Sequence, residues 1–222
     1  MNLDEDLISE TDNMELTDRE IFTKIWTSPR LVFRYLNDTR YDKFVTILLI
    51  LAGISKAFDR ASIKNMGDNL PLIGVLSICI ILGGLLGWIS YYAYAALLSW
   101  TGTWLNGKGD TDSLLRMISH AMIPMIVALI LLIPQISVFG NKIFQSDSNV
   151  YGTGMASTLM YYFTTCVGIS LSIWTIVLVV IGISEVQKIS IWKSILNMIL
   201  PVLVLLIPIA MIAFVLGDLL GK

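Results

Sequence analysis

The stretch "PLIGVLSICIILGGLLGWISYYAYAALLSW", Pro71–Trp100, holds thirty residues without one charge. A helix needs about 20 apolar residues to cross a bilayer. This one is longer than required, so it tilts or protrudes. Four further stretches have the same character: Phe44–Ser62, Leu114–Phe139, Ala156–Ser184 and Trp192–Leu219. Phe44–Ser62 is the weakest, because Lys56, Asp59 and Arg60 crowd its end. Lys and Arg can snorkel from there to the headgroups. Composition agrees with a membrane protein. Hydrophobic residues make up 55% and charged residues 14% of the chain, and mean hydropathy is +0.75. An ordinary soluble domain is about 25% charged. The expected fold is all-α: a polytopic bundle of five transmembrane helices, preceded by short amphipathic interfacial helices.

The net charge of −2 hides an uneven layout. Residues 1–20 hold eight acids and one base, which leaves fourteen bases and nine acids for the remainder. Residues 1–17 read as an acidic disordered tail, with too little apolar surface to offset its ordering entropy. Residues 18–42 read as amphipathic helices and 43–222 as the membrane domain. An acidic stretch, not a basic one, precedes the first apolar run, so no signal peptide is expected. Lys and Arg near the span ends set orientation. With the N-terminus inside, Arg30, Arg34, Arg40, Lys43, Lys108, Arg116, Lys188 and Lys193 fall inside, against Lys56, Arg60, Lys64, Lys142 and Lys222 outside. The C-terminus is then outside.

Within residues 18–42, Ile21, Phe22, Ile25 and Trp26 share one helix face. Thr27-Ser28-Pro29 reads as a stop and a fresh start, with Ser28 as cap and Pro29 in the first turn. Arg30 and Arg34 follow one turn apart among Leu31, Phe33, Tyr35 and Leu36. Bases with aromatics beside a span suit the membrane interface. A cap packed under the bundle is the rival reading, and both can hold at once.

Three segments carry a family resemblance: "IWTSPRLVFRYL" before the first span, "GTWLNGKGDTDSLLRMISHAMIP" between the second and third, and "WTIVLVVIGISEVQKISIWKSIL" across the fourth and fifth. Together they resemble the Yip family, named for Ypt-interacting proteins, over roughly residues 20–215. The resemblance implies a five-helix membrane domain with a cytoplasmic N-terminus. Eukaryotic relatives are linked to Rab-type GTPases and vesicle traffic. This chain is more similar to the prokaryotic branch, which implies the cytoplasmic (inner) membrane and does not carry over a Rab-adaptor role.

Several residues are candidates for function. Lys108 stands between Gly107 and Gly109, and a Gly-Lys-Gly turn can form an anion nest for a lipid phosphate. The alternative is a tight helix–helix turn whose glycines supply positive φ or close approach. His120 is the only histidine; it lies one turn after Arg116 and one before Pro124. An ionisable group in a span is a proton-site or polar-site candidate, against a structural histidine bonded to a neighbouring helix. Glu185 closes the fourth span on the same side as Arg116, so an Arg116–Glu185 ion pair is expected. Gly83, Gly84 and Gly87 form a small-residue patch, with Gly83 and Gly87 spaced as GxxxG; its partner helix is internal or from a second protomer. Pro124, Pro134, Pro201 and Pro208 should kink the third and fifth spans. Asn197, Thr164 and Thr165 read as interhelical hydrogen-bonding groups.

Cys79 and Cys166 lie inside apolar runs, so neither a disulfide nor a metal site is expected. No cofactor is expected either. An enzyme is disfavoured: no acid sits at a span centre, and one histidine excludes HExxH. Two functional readings remain. One is a membrane scaffold or adaptor that organises the membrane or recruits a membrane or cytoplasmic protein. The other is a transporter, channel or lipid-handling protein that uses kinked spans three and five. The partners expected are the lipid bilayer, a protein and a second copy of the chain, with no nucleic acid.

Overall fold

The structure is a computed structural model that describes residues 15–146 and 154–220; in the last helix it describes side chains as far as Leu206, and at Met211. Most of the acidic tail, residues 1–14, and Lys222 lie outside the described residues. So does the side chain of Pro208.

The described residues are helical, with no strand among them. Two short helices come first, α1 (Asp18–Lys24) and α2 (Pro29–Asp38). Then come α3 (Val45–Ile63), α4 (Leu72–Thr103), α5 (Thr111–Ala121), α6 (Ile123–Phe139), α7 (Met155–Gln187) and α8 (Ile191–Leu220). Two 3₁₀ turns, Met66–Asp68 and Gly140–Phe144, close the end remote from α1 and α2. Among the described residues three stretches are long and apolar enough to cross a membrane: Leu72–Thr103, Thr111–Phe144 and Met155–Gln187. A fourth apolar helix runs over Ile191–Leu206. Their outward faces are strongly apolar, with Leu82, Leu85, Leu86, Ile169, Ile173 and Ile176 all about half exposed. In water such a surface would aggregate; in a bilayer it is the solvent-facing side. This is an all-α membrane protein.

Pro124 interrupts the third stretch. It supplies no N–H to the carbonyl of His120, and α5 gives way to α6 at Met122. Pro134 lies inside α6 and Pro201 inside α8, yet both helices run on through them. The interruption therefore falls at Pro124 alone of these three. Ser28 makes no side-chain cap bond, although Pro29 does occupy the first turn of α2. A side-chain cap does form on α1, where the Thr17 hydroxyl accepts from the Glu20 amide and the Thr17 amide donates to the Glu20 carboxylate.

The closest backbone approach is between α3 and α4. A Cβ on Gly53 would fall on the Gly83 carbonyl and the Gly87 Cα, and one on Gly87 would fall on the Gly53 Cα. Gly83 in turn faces Ala57. The GxxxG patch is thus spent on an internal partner, and Gly84 meets Ile50 and Ile54 at ordinary contact distance. At the remote end Phe58 stacks on Phe144, with ring centroids 6.2 Å apart. The Asn141 amide donates to the carbonyls of Gly67 (2.9 Å) and Leu70 (3.0 Å), tying the two 3₁₀ turns together.

Gly53→Ala and Gly87→Ala should each cost about 1–3 kcal/mol, because backbone cannot yield as a side chain can. Gly168→Ala should be neutral, since its added Cβ would meet nothing within 4 Å. Thermal unfolding of the three variants in detergent checks the contrast.

Candidate functional site

The chemistry-bearing groups converge at the end where α1 and α2 dock. Ile21, Ile25, Val32, Phe33 and Leu36 are all buried in the main core with residues of α4, α5 and α7. The apolar faces of α1 and α2 are thus spent on the protein. A cap packed under the bundle is therefore observed.

The last turns of α7 receive the cap and much else. Gly182 leaves room for Met117 of α5 and for the ring of Phe33. One turn on, Glu185 faces Arg34 (3.5 Å) and Arg30 (3.9 Å); the carboxylate is 12% exposed, while both arginines are more than half exposed. Then comes Gln187, which is wholly buried. Its Nε2 donates to the Leu98 carbonyl of α4 at 3.0 Å. Its Oε1 accepts from the Gly109 amide at 3.0 Å, and its backbone carbonyl accepts from the Lys108 amide at 3.0 Å. A Cβ on Gly102 or Gly107 would overlap the Gln187 amide group.

This closes the anion-nest reading of Gly107, Lys108 and Gly109. The Gly107 amide donates to the Gly102 carbonyl (2.8 Å), and the other two amides go to Gln187. No N–H of the turn is left to hold a phosphate. The glycines serve close approach rather than unusual dihedrals; the left-handed residue of the loop is Asn106, at φ 63°. The Lys108 side chain points out of the clasp and is exposed.

The expected Arg116–Glu185 ion pair does not form. Arg116 donates through Nε to Asp42 at 2.7 Å, and Glu185 is taken by the cap arginines. Both groups point to the cap side, but each meets the acid or base nearer its own helix end. Arg116 is almost fully buried, and its Nη1 has no hydrogen-bond partner among the described residues. His120 is fully buried beside it. Its Nδ1 lies 2.9 Å from the Arg116 carbonyl and 3.0 Å from the Ser119 hydroxyl, and its ring is edge-on to Tyr41 at 6.1 Å. Its hydrogen bonds stay within its own helix, and among the described residues it bonds neither the Arg116 guanidinium nor Glu185. Asn197 accepts from the Thr101 hydroxyl (2.7 Å) and donates to Leu98 (3.2 Å). Gln135 donates to the Thr164 hydroxyl at 2.6 Å.

A second lock sits at the start of the cap. Asp18 accepts from the Tyr41 hydroxyl at 2.6 Å and from Lys43. The Lys43 bond, with help from Tyr41, holds the Asp18 carboxyl below its usual range. Burial, reinforced by Asp18, pushes the Tyr41 hydroxyl upward. Lys24 and then Thr17 pull the Glu20 carboxyl down to about 2. Among the described residues no group of three His, Cys, Asp or Glu could hold a metal ion.

Residues 23–212 match the Yip1 domain family. The chain belongs to that family. The Yip1 domain here begins inside α1 and ends inside α8, so it includes α2, the α3–α4 contact and the whole Gln187 clasp. No curated protein and no solved structure matches the chain.

The cap locks set a pH dependence. Asp18 and Glu20 have folded pKa values below their unfolded ones. Their contribution is therefore complete above about pH 4–5 and is lost as pH falls toward the folded values. Hydrogen exchange of the α1 amides, corrected for intrinsic rate, should accelerate between pH 5 and pH 2. The Asp18→Asn, Glu20→Gln double variant should exchange faster at pH 5 and show a smaller further acceleration.

Proposed function

We propose that this Yip1-domain protein is a five-span, non-enzymatic membrane scaffold whose docked cap recruits a protein partner on the inner face of the membrane. The spans are α3, α4, α5 with α6, α7 and α8. The observation that carries the reading is the disposition of the cap. Its apolar face is packed on the bundle, and Glu185 engages Arg30 and Arg34 at its edge. Its polar face, with Arg19, Thr23 and Thr27, is exposed. A polar surface held in one place beside the bilayer is what a recruiting platform requires, because little ordering entropy is then lost on binding. The concentration of Lys and Arg near the cap supports the inside orientation.

Photo-crosslinking residues placed at Arg19 and Thr27 in the native membrane should capture the same discrete protein. Capture at Thr27 should be lost in Arg19→Glu at unchanged protein level. Capture of lipid alone, or of the chain itself alone, contradicts recruitment.

One observation favours a second reading, passage of a small polar solute. A cavity of about 450 Å³ lies between α3, α6 and α7, lined by Ser55, Gln135, Tyr161, Thr164, Thr165 and Ser172 among apolar neighbours. Gly168 lines the same cavity. Neither His120 nor Lys108 lines it, so the transport reading moves away from those two residues. With glycerol as probe, proteoliposomes should show uptake that Gly168→Phe abolishes. Uptake no faster than in empty liposomes removes the reading.

A further inference from the structure

Lys56, Arg60 and Lys64 recur every fourth residue along one face of α3. All three are exposed, and all three line one furrow between α3 and α4. The opposite bank is apolar: Ile78, Leu82 and Leu86 of α4. The furrow exists because Gly53, Gly83 and Gly87 bring the two backbones together and leave a cleft beside the contact. Its volume is about 230 Å³. Among the described residues none of the three bases has an ion-pair partner or a side-chain hydrogen bond; Lys56 has only the face of Tyr91, 5.4 Å from its ammonium. Asp59, their acidic neighbour on α3, lines the other cavity instead.

Three like charges one turn apart repel one another, and a charge facing lipid without a counter-ion is costly. Snorkelling accounts for Lys64, at the end of α3, and for Arg60 one turn below. Lys56 lies deepest, about 10 Å along α3 from its end at Ile63. A headgroup drawn into the furrow meets its ammonium there and spares it the full reach to the membrane surface.

We propose that this furrow binds one anionic phospholipid, with its phosphate between Arg60 and the flanking lysines and an acyl chain along Ile78, Leu82 and Leu86. The charge complement and the apolar bank select a lipid over a free anion. The furrow faces the bilayer side, since Leu82 and Leu86 are about half exposed. The site lies at the opposite end from the cap and is independent of partner recruitment.

The test is native mass spectrometry of the full chain released from detergent with phosphatidylglycerol, phosphatidylcholine or glycerol phosphate. Wild type should retain one phosphatidylglycerol in preference to phosphatidylcholine, and glycerol phosphate should not displace it. Each of Lys56→Gln, Arg60→Gln and Lys64→Gln should weaken retention about fivefold, the effect of one base near an anionic surface. Leu86→Trp, which fills the furrow without touching charge, should weaken it as well. Lys64→Gln lies away from the Gly53 contact, and Leu86→Trp replaces a half-exposed side chain, so they test the site even where Lys56→Gln does not fold. Retention unchanged in these two variants overturns the proposal. Displacement by glycerol phosphate overturns the lipid and assigns the site to a free phosphate.

Discussion

The last turns of α7 govern the cap end of this protein. Within six residues they accept the cap's aromatic ring at Gly182, its arginines at Glu185 and the α4–α5 loop at Gln187. Gln187 is the strictest of the three. A buried amide must find partners for both its ends, and here the partners come from α4 and from the loop. The loop in turn can reach the amide only because Gly102, Gly107 and Gly109 carry no side chain there. One uncharged residue thus joins three elements, in a region where water competes little for its bonds. Asn197 extends the arrangement to α8 through the same Leu98 carbonyl.

The helices themselves were legible in the sequence. Apolar runs of 19 or more residues have one low-cost structure in a bilayer, and their ends fell within three residues of those expected. A close helix contact at the GxxxG patch was legible, but not that its partner is internal, and the prolines did not say that the break falls at Pro124. What was not legible is pairing. Arg116 and Glu185 are both near the right end of their spans, but sequence does not say which acid swings toward which base. Asp42 and the cap arginines were nearer. Gln187 passed unnoticed because a single glutamine after a span reads as a helix terminus. The signal available was the three glycines upstream, whose spacing demanded something bulky and buried in between.

The two ends of the molecule differ in kind. At the cap end, Asp18, Glu20, Asp42 and Glu185 are each paired with a base of the protein. Among the described residues, three bases on the lipid-facing side of α3 have no ion-pair partner. The two ends thus differ in electrostatics, with paired acids and bases at one and a row of bases at the other.

The central claim is that α1 and α2 form a docked cap rather than helices lying in the headgroup layer. Distance measurement between spin labels at Thr23 and Asn106 in lipid nanodiscs, with Cys79 and Cys166 replaced, tests it most directly. A docked cap gives one narrow distance distribution, broadened by Glu185→Gln. A broad distribution in the unaltered protein, insensitive to Glu185, would contradict it.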